Sequence, residues 1–181
     1  MSDNPKLYYF PLAGRAELIR AIASCGGLNL IESADKPENL AAFGSPSGIP
    51  VLEHGLLKMA QSTAIENYLA MIAPKYTGLT PAQRGIDSMF MSIKEEIVAA
   101  TAKLVFGKDA DGNRDVEKMK AEAPVLCARW MPVIEGLLPA EGFINGLEFP
   151  TVAGHARANE MTPSALYQHE KYWWSGGSLL K

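Results

Sequence analysis

Cysteine is scarce in this chain. Cys25 and Cys127 stand far apart and form no Cys-x-x-Cys pair, which argues against a disulfide framework and a cysteine-based zinc site. Such usage fits a reducing compartment, and a cytoplasmic location is expected. Long hydrophobic runs are missing too. No window reaches the roughly 20 apolar residues of a membrane span, and residues 1–5 lack the apolar run of a secretion signal. There is no excess of positive charge. The formal net charge of -3 gives no reason to expect nucleic acid or an anionic membrane as a partner. His54, His155 and His169 lack metal-ligand spacing, and no metal is expected.

What is present is the composition of a globular protein. Hydrophobic residues make up 48% of the chain and charged residues 20%, enough for a substantial core in one moderate domain or two small ones. Residues 6–10 (KLYYF), between Pro5 and Pro11, read as a strand. From Gly14 a helical pattern carries Leu18, Ile19, Ile22 and Cys25 on one face, and Gly26-Gly27 ends it. Residues 28–31 read as a second strand, and residues 36–43 as a short helix with Pro37 in its first turn. Residues 49–53 and 56–59 read as a hairpin turning at His54-Gly55. Residues 62–71 form a further helix, with Ala64, Ile65, Tyr68 and Leu69 on its apolar face.

The order is βαβαββα, that of a thioredoxin-like domain over residues 1–73. A linker at 74–80 and an all-α domain at 81–181 follow. Thr80-Pro81-Ala82-Gln83 has the form of a capping box opening a long helix to about Phe106. Residues 115–138 read as a second long helix, with Met119, Leu126, Trp130 and Ile134 on one face. Pro124 and Pro132 are expected to kink or interrupt it.

Four segments carry a resemblance. KLYYFPLAGRAELIRAIA (6–23) resembles the first strand and helix of glutathione transferases. GIPVLE (48–53) resembles the strand with their cis-proline, MAQSTAIENYLA (59–70) the Gln-Ser opening of their third helix, and FINGLEFPTVA (143–153) their late loop. Together they span roughly residues 6 to 153 in order, and the tyrosine in the first strand resembles the tyrosine-type, sigma-like classes.

The resemblance implies a chemistry. Glutathione is a thiol with two carboxylates and an amine, and a free thiol near pKa ~8.5 is mostly protonated at neutral pH. A hydrogen bond to the thiolate favours ionisation. By resemblance that donor is Tyr9, directly before Phe10, while Tyr8 points to the other sheet face. Pro50 would be cis and would turn Ile49 so that its backbone pairs with the cysteinyl part of glutathione. Gln61 and Ser62 would hold the γ-glutamyl carboxylate at a helix N-terminus; Ser62 as a mere helix cap is the plainer reading. Arg15 has two readings, positioning of tyrosine or substrate and a structural ion pair. Glu17 reads as structural. Asp87 is a secondary candidate, since in such dimers an acidic residue of the neighbouring subunit reaches the glutathione amine.

The implied protein is a cytoplasmic, homodimeric enzyme of detoxification that conjugates glutathione to small apolar electrophiles, with prostaglandin-type isomerisation as a variant. The electrophile would lie between the domains, near Met89, Ile93, Ile97 and Phe106, unless these are core. The alternative is a non-enzymatic relative, a crystallin-like, binding or interaction protein. A glutaredoxin-like thiol oxidoreductase is disfavoured because no cysteine ends the first strand. Two departures from the family pattern stand out. No residue matches the binder of the glycyl carboxylate, although Lys36 and Phe43 are near. After Thr151, Gly154 and His155 replace the usual capping aspartate, so the C-terminus from about residue 154 reads as atypical or truncated, with lower activity as one consequence.

Overall fold

A computed structural model of the chain describes residues 4–152. Strands β1 (Lys6–Tyr8), β2 (Ile31–Ser33), β3 (Val51–His54) and β4 (Leu57–Ala60) form one sheet in the order β2-β1-β3-β4. β1 runs parallel to β2 and antiparallel to β3, and β3 pairs antiparallel with β4. Helices α1 (Glu17–Gly26) and α2 (Ser62–Ile72) accompany the sheet. The long helices α3 (Pro81–Val105) and α4 (Val116–Leu137) follow. The architecture is therefore the expected one, a thioredoxin-like α/β part followed by a helical part.

Several boundaries differ from the sequence reading. β2 begins at Ile31, because Leu28 is spent closing α1, its N–H donating to the Ala23 carbonyl. The helix expected at 36–43 is a 3-10 turn, Leu40–Phe43, capped by Asn39. The expected linker contains a 3-10 turn, Pro74–Tyr76, whose Tyr76 is fully buried, donates to the Pro150 carbonyl at 3.2 Å and stacks on Phe149. Burial raises the Tyr76 hydroxyl well above the ordinary phenol range, with Cys25 and Asp87 adding to the rise. Pro124 and Pro132 do not interrupt α4. Both lie on its exposed face, as do Lys120 and Ala128, whose carbonyls lose their helical partners, so water can replace the missing bonds. The expectations for residues 154–181 lie outside the described residues.

Alternation along the strands sorts side chains into two cores. Leu7 and Leu52 face α1 and α2, meeting Ile19, Ile22, Ile65 and Leu69, and Met91 of α3 joins the same cluster. Tyr8 and Val51 face the other way, with Leu40 and Phe43. A third cluster, Phe90, Ile97, Ile134 and Ile144, ties α3 to α4. α3 starts as its sequence indicates: Thr80 accepts from the Gln83 N–H at 3.3 Å while the Gln83 side chain accepts from the Thr80 N–H at 2.9 Å.

The close approach of α1 to the 74–76 turn depends on Gly26. A Cβ there would stand 2.6 Å from the Ala73 Cβ and 3.0 Å from the Tyr76 ring. Gly26→Ala should destabilise the fold by about 1–3 kcal/mol despite the better helix propensity of alanine. Urea unfolding reads it, and a neutral result would mean that the two segments separate freely. Among the described residues no helix is long and apolar enough to cross a membrane.

Candidate active site

The sheet register assembles the site. Tyr8 faces Val51 across the β1–β3 pair, and Val51 faces Ala60 across the β3–β4 pair. The next residues beyond that row are Tyr9, Pro50 and Gln61, so three distant segments meet at one end of the sheet. The Ile49–Pro50 peptide is cis, as the resemblance implied. Pro50 is buried and Ile49 half-buried at the entry to β3.

Tyr8 and Tyr9 point to opposite faces. The Tyr8 hydroxyl donates to Glu53 at 3.1 Å and its ring meets Phe43 edge-on, a structural role. The Tyr9 ring packs against the α1–α2 core, and its hydroxyl oxygen accepts the backbone N–H of Arg15 at 3.3 Å. Accepting that bond leaves the phenolic proton available to a further acceptor. The segment after Tyr9 is fixed by Arg20, which donates to the carbonyls of Leu12 and Phe10 and pairs with Glu32 at 2.8 Å and Glu17 at 3.4 Å. Glu17 is thus structural, as its position indicated.

Gln61 is exposed and holds φ 74 and ψ 115, a backbone region that non-glycine residues rarely adopt. Such a position costs about 1–3 kcal/mol and is characteristic of functional turns. Ser62 is the first residue of α2 and does not cap it. It is buried, and its hydroxyl donates to the Glu95 carboxylate of α3 at 3.3 Å. The other Glu95 oxygen pairs with the Arg15 guanidinium. A chain of bonds therefore runs from Tyr9 through Arg15 and Glu95 to Ser62. Next to it Lys94 reaches Glu95 at 3.8 Å and the fully buried Glu66 of α2 at 2.5 Å. Burial raises the Glu66 carboxyl above its ordinary range, against the lowering effect of Lys94.

Asp87 anchors a different set of residues. It is buried, accepting from the Thr151 hydroxyl at 2.7 Å and the Asn145 amide at 3.2 Å. Its carboxylate ties the loop after α4 to the first turns of α3. The acid that stands beside Ser62 is Glu95, two turns further along the same helix, and sequence reasoning passed over it.

Comparison with known proteins bears on the fold that carries this arrangement. The chain is 30% identical over 132 residues to glutathione S-transferase alpha-2 of Rattus norvegicus, 63% of this chain and 59% of that protein. A solved glutathione S-transferase from Ascaris lumbricoides superposes with a TM-score of 0.62 at 25% identity, over 93% of this chain and 89% of that one. The fold is that of the glutathione transferases. A theta class member from Xanthomonas axonopodis pv. citri, solved with glutathione bound, superposes with a TM-score of 0.65 at 17% identity, over 96% of this chain and 84% of that one. No family model matches the chain. It spans about three fifths of the length of the rat transferase it matches.

On this glutathione-transferase scaffold the residues expected around an electrophile separate. Ile97 is buried and Ile93 packs beside it, both in the α3–α4 core. Phe106 is exposed at the end of α3. Met89 lines a cleft of about 280 Å³ with Ile86, Phe90, Leu137 and Ile144, which none of the residues around Tyr9 lines. The large apolar side chains exposed next to Tyr9 are Phe10 and Leu12. Cys25 and Cys127 are half-buried free thiols. No cluster of metal-ligating side chains occurs among the described residues.

Proposed function

We propose that the chain is a tyrosine-type glutathione transferase, sigma-like in its first strand, which binds glutathione at the end of the sheet and adds its sulfur to small apolar electrophiles. The observation that carries the reading is the Tyr9 hydroxyl: its oxygen is held by the Arg15 N–H and its proton is free to stabilise a thiolate. Around it each part of glutathione has a partner. The backbone of Ile49 offers strand-like pairing to the cysteinyl unit. The N-terminus of α2, with Gln61 and Ser62, takes the γ-glutamyl carboxylate, and Glu95 takes the adjacent ammonium. Lys36, whose ammonium lies 3.1 Å from the Ser47 carbonyl ahead of Ile49, supplies positive charge for the glycyl carboxylate. Phe10 and Leu12 offer the electrophile an apolar surface, whether the reaction is conjugation or a prostaglandin-type isomerisation.

In this reading the glutathione-binding unit is residues 1–73, joined through 74–80 to the helical unit from 81. The protein is placed in the cytoplasm as a homodimer. Exposed Met71, Ile86 and Met89 on α2 and α3 support the dimer, and sizing by light scattering tests it. A glutathione titration followed by thiolate ultraviolet absorbance near neutral pH tests the reading itself. Saturable absorbance is expected. Binding without absorbance would favour the second reading, a non-enzymatic relative, which the prior engagement of the Ser62 hydroxyl by Glu95 supports.

Gln61→Gly separates stability from binding. Glycine relieves the positive φ, so the folded state should gain about 0.5–2 kcal/mol. Glutathione affinity should fall several-fold, because the side-chain amide is lost. Thermal melting and calorimetric titration of one preparation read both, and an unchanged affinity would remove Gln61 from the site.

A further inference from the structure

Glu66 and Lys94 have no part in the chemistry described above, yet they are the best-buried charges beside it. Glu66 lies one helical turn after Ser62 on the same face of α2. Its side chain is fully buried, that of Lys94 is 16% exposed, and their 2.5 Å contact leaves the second Glu66 oxygen without a partner among the described residues. Such a pair is poor support for stability, since desolvation offsets most of its attraction. Its position suggests another use. Lys94 stands between two carboxylates, close to Glu66 and 3.8 Å from Glu95. Glu95 in turn binds Ser62 and Arg15.

We propose that Glu66 is a positioning residue that draws the Lys94 ammonium onto itself, limiting it to a 3.8 Å contact with Glu95, so that Glu95, already shared by Arg15 and Ser62, keeps enough negative charge for the ammonium of the bound γ-glutamyl group. The proposal rests on the glutathione reading and deepens it. Without the charge on Glu66, Lys94 has one carboxylate left to pair with, and that is Glu95. A second cation then closes on Glu95, which already pairs with Arg15, and the ligand ammonium meets net positive charge where it needs an anion. The device responds to acid. The charged groups acting on Glu66 are Lys94 and Glu95 of α3 and Arg15 ahead of α1. Burial makes Glu66 take up its proton at a higher pH than a free carboxyl does. Lys94 is therefore released, and binding weakened, as pH falls through a window above 4.5.

The test is calorimetric binding of S-hexylglutathione, which has no ionisable thiol, to the full chain. At pH 7 Glu66→Gln should weaken binding at least about fivefold. Adding Lys94→Met should return it to within about twofold of wild type, since the competing cation is gone. An S-hexylglutathione analogue lacking the α-amino group should bind wild type and Glu66→Gln alike, a difference no general loosening of the fold produces. The wild-type affinity should fall as pH is lowered from 7 toward 4.5, and the double variant should show no such fall. Unchanged binding by Glu66→Gln, no recovery in a folded double variant, or an equal loss for the analogue each overturns the proposal. Absence of S-hexylglutathione binding by the wild-type chain overturns the glutathione reading and this proposal with it.

Discussion

Tyr9→Phe should bind glutathione with nearly unchanged affinity and lose its thiolate absorbance at pH 6.5. The substitution removes one oxygen and leaves the ring, which packs against the α1–α2 core. What disappears is the donor that favours S⁻ over SH. Losing a single preorganised donor to developing negative charge costs about 10²–10³ in rate, and each pKa unit of the thiol corresponds to about 1.4 kcal/mol. A fall in kcat/KM of about 100-fold is therefore expected near neutral pH with a chloronitrobenzene as electrophile. The deficit should shrink as pH rises past ~8.5, where an unassisted thiol ionises by itself. That pH dependence is the decisive part. A deficit of equal size at every pH would mean that Tyr9 positions the ligand instead of ionising it. No deficit at all would remove Tyr9 from the mechanism.

Asp87→Ala should be the most damaging substitution for stability. It leaves the Thr151 hydroxyl and the Asn145 amide without the buried carboxylate they share. Hydrogen bonds to a charged group contribute about 1.5–3 kcal/mol each, and buried donors left unpaired add to the loss, so a decrease of about 3–5 kcal/mol is expected. Asn145 itself sits at φ 76, and its backbone carbonyl accepts from Gln83, so the turn it occupies depends on this anchor. Denaturant titration reads the loss. Molecules that remain folded should still bind glutathione, since the Asn145 and Thr151 groups that Asp87 holds lie apart from the residues around Tyr9. A large change in affinity with little change in stability would return Asp87 to the candidate site.

The surroundings of these two residues were legible in the sequence to different degrees. Tyr9, Pro50 and Ser62 lie in local patterns, a strand-to-helix junction or a Pro-bounded strand, and short-range regularity is what a sequence displays. The cis peptide matches a resemblance that spacing alone cannot supply. The α3 cap was legible down to its two hydrogen bonds, because all four of its residues are adjacent. Glu95 was not legible. Ser62 and Glu95 are joined by a contact across 33 positions, and nothing local in Lys94-Glu95-Glu96 tells an inward carboxylate from a solvated one. The bonds of Asp87 were hidden for the same reason: Asn145 and Thr151 lie 58 and 64 positions away. Glu66 did leave a signal, a charge set between Ile65 and Leu69, whose burial follows once that face of α2 meets α3. The shortness of β2 and the 3-10 turn at Leu40–Phe43 are decided by where Leu28 and Asn39 spend their hydrogen bonds, which strand and helix periodicity do not report.

The row Tyr8–Val51–Ala60 has a consequence for how this scaffold can change. Because Tyr9, Pro50 and Gln61 are each the first residue beyond that row, no segment can be shifted alone. One residue removed from the β3–β4 turn would move Gln61 and Ser62 by one place against Pro50 and exchange their faces of the sheet, with every side chain unaltered. Substitutions at these positions adjust the site one group at a time, whereas an insertion or deletion in the hairpin rewrites it in one step. Length variation is thus tolerable outside the span from Tyr9 to Ser62 or in its outer loops, and the hairpin at Gly55 is where the chain's count of residues is least free to drift.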